Sequence, residues 1–206
     1  MIQLNHVTKS FKQVTILSDV NYTFEEGESY CLVGPNGSGK SVFLQLITGL
    51  SQPDEGNIIV DDQVLGEDYD FLPEAGISIN QPEFMQNWTG WENLVFLASL
   101  RKRVQTPEIR AWVSRFRMEK DIDRVYRVYS QGMRQKLRLI QAFMENPRYL
   151  ILDEPFNALD KKAIDILLTC LAEFSSPDKT LIMTCHTQEL LEQTACKIVE
   201  MEELTS

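Results

Sequence analysis

The chain is poor in positive charge, in long apolar runs and in regularly spaced cysteines. Acidic residues outnumber basic ones by 30 to 20, for a formal net charge of −10, so no nucleic-acid partner is expected. No stretch approaches the roughly 18 consecutive apolar residues of a membrane span. The opening residues, MIQLN, lack the charged and apolar regions of a signal peptide. These absences predict a cytoplasmic protein.

The four cysteines show no C-x-x-C spacing of the kind that marks zinc and dithiol sites. Cys31, Cys170 and Cys185 stand in apolar stretches and are predicted to be reduced core residues. A length of 206 residues suffices for one substantial domain with its own core. We therefore expect residues 1–206 to form a single domain.

Glycine is scarce overall, yet three of the ten glycines fall within residues 34–41, GPNGSGKS. This octapeptide fits G-x-x-x-x-G-K-S, in which backbone N–H groups surround phosphate oxygens. The motif requires a strand before it and a helix after it; residues 29–33 suit a short buried strand and residues 42–48 an apolar helix ending at Gly49. The predicted nucleotide-binding residues are Gly34, Pro35, Asn36, Gly37, Ser38, Gly39, Lys40, Ser41 and Val42.

Within this loop, Lys40 is expected to reach the β- and γ-phosphates, and the Ser41 hydroxyl to ligate Mg²⁺. A second element, YLILDE at residues 149–154, is an apolar run that ends in two acids. Such a run is typical of a buried parallel strand whose carboxylates emerge at its carboxyl end. Asp153 is predicted to hold Mg²⁺ and Glu154 to polarise the attacking water. An ordinary core strand followed by a solvated acidic turn is the alternative.

A third element, YSQGMRQK at residues 129–136, resembles the signature sequence of ABC-type ATPases. The resemblance extends along nearly the whole chain, because further segments match the motifs of that family in the same order. Gln81 matches the Q-loop glutamine, NALD at residues 157–160 the D-loop, and His186, after an apolar run, the switch histidine. Phe11 stands where the family places an aromatic under the adenine.

The resemblance implies an α/β P-loop NTPase fold. Its parts are a mainly parallel sheet core, an N-terminal antiparallel β-subdomain, and an α-helical subdomain inserted at about residues 83–135. It assigns catalysis to Lys40, Gln81, Glu154 and His186, and metal binding to Ser41, Asp153 and Gln81. It also implies a head-to-tail dimer, in which Ser130, Gln131 and Gly132 contact the nucleotide of the partner subunit and Asp160 belongs to the D-loop.

The implied function is Mg-dependent hydrolysis of ATP by the ATPase subunit of a membrane transporter. Its expected partners are a separate integral-membrane permease and a second ABC ATPase, identical or paralogous, on the cytoplasmic face of the membrane. The signature and the short helical subdomain resemble export-type systems. Two alternatives remain: a soluble ABC ATPase of an assembly or maintenance complex, and a nucleotide-gated clamp that barely hydrolyses ATP.

Local patterns predict helix ends and faces in the second half of the chain. TGWE at residues 89–92 is a capping box for a helix over residues 91–103, and Thr106 is predicted to cap the next one. Ser130 and Asp160 are predicted N-caps. Arg134, Gln135 and Arg138 are predicted to face outward from the signature helix.

Five apolar residues cluster early in the predicted helical subdomain: Phe84, Met85, Trp88, Trp91 and Phe96. We expect most of them to form the core of the subdomain. The family also places there a groove that receives a helix of the membrane partner, for which at least one exposed aromatic would be needed.

The chain departs from the family pattern at Gln131, Met133 and Val42. The contacts expected of Ser130 and Gly132 survive these changes. Val42 replaces the second of the two hydroxyl residues that often follow the lysine. We therefore expect somewhat weaker affinity for the nucleotide, but not loss of binding.

Overall fold

Strands and helices alternate from residue 131 onward in this chain, of which the computed structural model describes residues 1–80 and 84–204. In chain order the elements are β1 (Ile2–Phe11), β2 (Val14–Phe24), β3 (Ser29–Val33), α1 (Lys40–Thr48), β4 (Glu55–Val60), β5 (Gln63–Val64), β6 (Ala75–Ser78), α2 (Gly90–Arg101), α3 (Thr106–Arg115), α4 (Gln131–Phe143), β7 (Tyr149–Leu152), α5 (Lys161–Phe174), β8 (Thr180–Thr184), α6 (Gln188–Glu192), β9 (Lys197–Glu200) and α7 (Met201–Leu204). A short 3-10 helix, Tyr126–Val128, precedes α4.

The strands form two sheets. An antiparallel sheet has the order β2-β1-β4-β5, and a five-stranded sheet has the order β6-β7-β8-β3-β9, in which every pair is parallel. The predicted fold class, an α/β P-loop NTPase with an N-terminal antiparallel sheet, is confirmed. The predicted limits of the domain and of its helical subdomain stay predictions.

Both faces of the parallel sheet are covered. Strand β7 shows this most directly, because all four of its residues are fully buried. Side chains alternate between faces along a strand. Leu150 and Leu152 therefore enter a core shared with α4 and α5, whereas Tyr149 and Ile151 enter a core shared with α1 and the antiparallel sheet. Such double burial explains why β7 reads as a continuous apolar run.

The predicted caps are largely confirmed. Thr89 and Glu92 form the capping box of α2, and the side chains of Ser130 and Asp160 accept hydrogen bonds at the starts of α4 and α5. The prediction for α3 was wrong by one residue. Gln105 is the N-cap, and its backbone N–H donates to Glu108 Oε2 at 2.9 Å, so Thr106 already lies in the first turn.

The prediction that Gln135 and Arg138 face outward was wrong. The two side chains are only 6% and 7% exposed. A helical pattern identifies the apolar face of α4 but gives no warning of polar groups buried beside it. Here the polar groups are tolerated because they hydrogen-bond to each other and to a backbone carbonyl.

The prediction that the five apolar residues near α2 are mostly core was also wrong. Phe84 is buried and Trp91 is partly buried, but Met85, Trp88 and Phe96 are 52%, 39% and 38% exposed. The core-facing positions of α2 are occupied by Leu94 and Ala98. The exposed aromatics therefore remain at the surface, where the Trp88 and Phe96 rings meet edge to face at 5.4 Å.

Cys31, Cys170 and Cys185 are buried and free, as predicted. Burial raises the pKa of the Cys185 thiol above its ordinary value, which favours the unreactive protonated form. Within residues 1–80 and 84–204, no helix is long and apolar enough to cross a bilayer.

Candidate functional site

Three neighbouring strands of the parallel sheet deliver the candidate residues to one edge. Residues 34–41 follow β3, Asp153 and Glu154 follow β7, and His186 comes two residues after β8. In the sheet β8 lies between β7 and β3, so these three carboxyl ends are adjacent. Ligands of open α/β sheets bind at this edge.

The loop at residues 34–41 has a backbone that only small residues permit. Gly39 adopts φ 93°, and a Cβ there would lie 2.8 Å from Ile16 Cγ2. The backbone N–H of Ser38 donates to the Pro35 carbonyl at 3.2 Å, and that of Phe43 donates to Gly39 at 2.8 Å as α1 begins. The loop therefore runs directly into the N-terminus of α1. Free backbone N–H groups at a helix N-terminus favour the binding of phosphate.

Lys40 folds over this loop. Its ammonium group donates to the carbonyl oxygens of Gly34 and Pro35 at 2.8 and 2.9 Å, and the side chain is buried. Ser38 Oγ is buried and, among the described residues, has no hydrogen-bond partner. A cation and an unsatisfied hydroxyl in one glycine-rich loop suit an anionic ligand.

Ser41, Asp153 and Thr184 form a hydrogen-bonded chain across the ends of α1, β7 and β8. Ser41 Oγ donates to Asp153 Oδ2 at 2.7 Å, and Thr184 Oγ1 donates to Asp153 Oδ1 at 2.8 Å. Ser41 and Asp153 are thus close enough to serve one cation, and their assignment as Mg²⁺ ligands stays a prediction. Hydroxyl and carboxylate oxygens are the ligands that Mg²⁺ prefers.

Glu154 is held by three neighbouring side chains although it emerges from a strand end. Its backbone N–H donates to Thr184 Oγ1 at 2.7 Å, and its φ of 47° lies in the left-handed region. The carboxylate contacts His186 Nε2 through one oxygen, and it accepts from Asn157 Nδ2 through the other. The structure therefore brings together Glu154 and His186, which stand far apart in the sequence.

Two adjoining clefts share Ser41 and Glu154. The first, of about 220 Å³, is lined by Ile16, Asn36, Gly37, Gly39, Lys40, Ser41, Val42 and Glu154. The second, of about 190 Å³, is lined by Ser41, Asn80, Gln135, Asp153, Glu154 and Asn157. The predicted phosphate loop thus opens directly onto the predicted carboxylates.

The remaining predicted residues lie outside these clefts. Phe11 is 46% exposed at the end of β1, with Lys9 Nζ 5.4 Å from its ring centroid. Ser130 and Gly132 stand at the start of α4, where a Cβ on Gly132 would lie 2.9 Å from the Ala158 carbonyl oxygen. Asp160 accepts from the Ala163 N–H at 2.8 Å. Gln81 lies outside the described residues.

From the sequence, Thr184 had no assigned role, Asn157 was placed only within the D-loop motif, and Gln135 was expected to face outward. A weak signal existed for Thr184, because it is the final residue of an apolar strand just ahead of His186. The other two needed the fold: Asn157 approaches Glu154 through the turn after β7, and Gln135 reaches the same turn from α4.

Comparison with known proteins identifies the family. The family model described as ABC transporter matches residues 17–157. An ABC transporter ATP-binding protein of Bacillus subtilis, YybJ, is 34% identical over 189 residues, which cover 92% of this chain and 87% of the relative. The chain belongs to the ABC transporter family. The bacitracin transport ATP-binding protein BcrA of Enterococcus faecalis is 31% identical over 98% of this chain and 67% of its own length.

Solved ABC cassettes share the fold. A structure described as the ATP binding subunit of an ABC transporter matches with a TM-score of 0.85 and 25% identity, over 97% of this chain and 85% of its own. A dimeric ATP-binding cassette in a post-hydrolysis state, bound to ADP and Pi, matches with a TM-score of 0.79 and 25% identity, over 97% and 94%. This ABC protein is accordingly a transporter ATPase subunit that binds and hydrolyses ATP. In general terms, it works with a membrane permease and dimerises.

Proposed function

We propose that this ABC subunit drives a separate permease of the export type by closing on ATP as a dimer and reopening after hydrolysis, at the cytoplasmic face of the membrane. The observation that carries the proposal is the convergence of the phosphate loop, Asp153 and Glu154 on two clefts that share Ser41 and Glu154. His186 contacts the carboxylate of Glu154. A binding clamp would need the phosphate loop alone. A positioned carboxylate beside it supports hydrolysis.

Each residue around the clefts has a role that its contacts support. Lys40, now on its own loop carbonyls, exchanges these for β- and γ-phosphate oxygens. Ser41 and Asp153 hold Mg²⁺, which supplies charge neutralisation at the phosphates when it is bound.

Glu154 orients and polarises the attacking water, while His186 holds the carboxylate and steadies the γ-phosphate. This is positioning and electrostatic stabilisation rather than covalent chemistry. Gln81 stays proposed as the residue that senses the γ-phosphate, and Phe11 as the aromatic under the adenine. Val42 offers only its backbone N–H to the nucleotide.

The dimer is proposed to be head to tail. Ser130 is exposed at the N-terminus of α4 and lines neither cleft of its own chain. The N–H groups there form an anion site that the nucleotide of the same chain does not reach. We assign Ser130, Gln131 and Gly132 to the nucleotide of a second subunit, with Asp160 near the shared boundary.

We assign the permease contact to the surface formed by Met85, Trp88 and Phe96. This surface is called the exposed patch. Apolar surface of this kind marks protein contact sites. Two relatives are named for transport of bacitracin and of a lantibiotic, and another is named for import of sulfate and thiosulfate.

The deciding experiment is Glu154→Gln. We expect turnover of ATP to fall to near zero while an ATP-dependent dimer accumulates on size-exclusion chromatography. Wild-type turnover in this variant would show that Glu154 does not polarise the attacking water. No dimer with nucleotide, alone or with a paralogous subunit, would remove the proposed cycle. The control is Asp165→Asn, which makes the same change of a carboxylate to an amide at an exposed position.

A further inference from the structure

The signature helix contributes a polar side chain to the carboxylate site of its own subunit. Gln135 lies on α4, is 6% exposed, and lines the same cleft as Ser41, Asp153 and Glu154. Its Nε2 donates to the Pro155 carbonyl oxygen at 3.0 Å. Pro155 directly follows Glu154, so Gln135 holds the backbone next to the proposed base.

The orientation of the Gln135 amide is fixed by its second partner. Arg138 Nη1 donates to Gln135 Oε1 at 3.3 Å, and both groups are buried. A guanidinium has only donors, so the amide oxygen must face Arg138 and the amide NH₂ must face Pro155. Two buried neighbours thus prevent the amide from turning over.

Glu154 requires such support. Its backbone is in the left-handed region, at φ 47°, a conformation that costs free energy for a residue with a side chain and persists only where neighbours hold it. Thr184 holds the N–H of this residue, and Gln135 holds the carbonyl of Pro155, the residue that follows it. Without the second anchor, the backbone at residues 154 and 155 can relax and shift the carboxylate relative to its contacts with His186 and Asn157.

We propose that Gln135 is a positioning residue for Glu154, acting through the Pro155 carbonyl from the helix that also carries Ser130. The inference rests on the function proposed above. It gives α4 a role toward each of two nucleotides: Ser130 toward that of the partner subunit, and Gln135 toward that of its own.

The test is Gln135→Met, which keeps the length of the side chain and removes both polar contacts. We expect kcat for ATP to fall by about tenfold to a hundredfold, the range for lost supporting contacts around a catalytic group. KM and the Kd for ATP should stay at wild-type values, because Gln135 holds none of the loop at residues 34–41. Gln141→Met, the same change on the same helix away from the cleft, should leave kcat unchanged.

Two further measurements separate positioning from folding. In a Glu154→Ala background, Gln135→Met should cause no further loss of residual turnover, because its effect passes through the missing carboxylate. If Gln135→Met does not fold, Gln135→Glu keeps the acceptor for Arg138 but lacks the donor to Pro155, and it should show the same fall in kcat.

A wild-type kcat, an equal loss of ATP affinity, or an additive loss in the Glu154→Ala background would overturn the proposal. These outcomes are distinct from failure of the function itself. If Glu154→Gln retains turnover, the proposed function fails. If Glu154→Gln is inactive and Gln135→Met turns over normally, only the positioning role fails.

Discussion

The hydroxyl of Thr184 accepts a hydrogen bond of 2.7 Å from the backbone N–H of Glu154. The same hydroxyl donates to Asp153 Oδ1 at 2.8 Å. One threonine at the end of β8 therefore ties down two consecutive acids at the end of β7. Both strands are neighbours in the parallel sheet, so this contact depends on their register.

The first prediction concerns Thr184→Val, which keeps the shape of the side chain and removes its hydroxyl. Because Thr184 is fully buried, two polar groups lose their partner, and we expect a loss of about 1–3 kcal/mol in the free energy of unfolding. Turnover should also fall, since Glu154 loses an anchor. Denaturant titration and steady-state kinetics measure the two effects.

Thr180→Val is the matched control, because Thr180 is buried on the same strand and its hydroxyl lies 3.5 Å from its acceptor, the Glu25 carbonyl. It should change turnover little. If both variants lose turnover equally, the effect belongs to the strand rather than to the contact with Glu154.

The second prediction concerns Lys40→Met. Its ammonium group is the cation over the loop at residues 34–41, so we expect ATP binding to weaken by about 1.5–3 kcal/mol, the range for hydrogen bonds to charged groups. Isothermal titration calorimetry with Mg-ATP measures this. Lys161→Met, at an exposed position on α5, should bind as the wild type does; full turnover in Lys40→Met would contradict the assignment.

The third prediction concerns Val42→Thr. Val42 lines the cleft beside Lys40 and Ser41, and a hydroxyl there would add a hydrogen bond to the nucleotide. We expect a tighter Kd for ATP, by about 0.5–1.5 kcal/mol, the net value of one added hydrogen bond. Unchanged affinity by calorimetry would show that the backbone N–H alone meets the requirement at this position.

The fourth prediction is a pH dependence at the start of α2. Hydrogen bonds from the Thr89 backbone N–H and hydroxyl lower the pKa of Glu92 below its ordinary value. A carboxyl with a lowered pKa in the folded state stabilises that state above its unfolded pKa, and this contribution disappears as pH falls through the folded value. The stabilisation by Glu92 should thus be complete at neutral pH and lost in acid.

The check is the difference in unfolding free energy between the wild type and Glu92→Ala, followed from neutral pH into acid. We expect a gap at neutral pH that narrows as the solution becomes more acidic. If the difference in unfolding free energy does not change with pH, the ionised carboxylate of Glu92 does not contribute to the capping box.

The fifth prediction concerns the exposed patch. The double change Trp88→Ser and Phe96→Ser removes its two aromatic rings, which touch each other but lie mostly outside the core. We expect the purified variant to keep its ATPase activity and to lose association with permease-containing membranes in co-sedimentation. Phe71→Ser, at a still more exposed aromatic elsewhere, should sediment as the wild type does.

Much of the fold was readable because its signals are local. The loop at residues 34–41, the apolar strand before Asp153, and the caps at Thr89, Ser130 and Asp160 each depend on neighbours within a few residues. The errors came where local patterns stop. Nothing near Gln135 in the chain indicates that the Pro155 carbonyl will be available to it, and nothing near Trp88 shows that Leu94 and Ala98 will take the core positions.

The amino-acid sequence by itself determined to which family this ABC protein belongs, which loop is predicted to bind phosphate, and which acids follow the buried strand. Those features can be recognised from residue type and spacing, because they depend on local backbone conformation and on the order of the motifs. Only the tertiary structure decided how the acids are held. The order β7-β8-β3 sets Thr184 against Asp153 and Glu154, and the packing of α4 on β7 buries Gln135 beside Pro155. Contacts between residues so distant in the chain arise from strand register and helix packing.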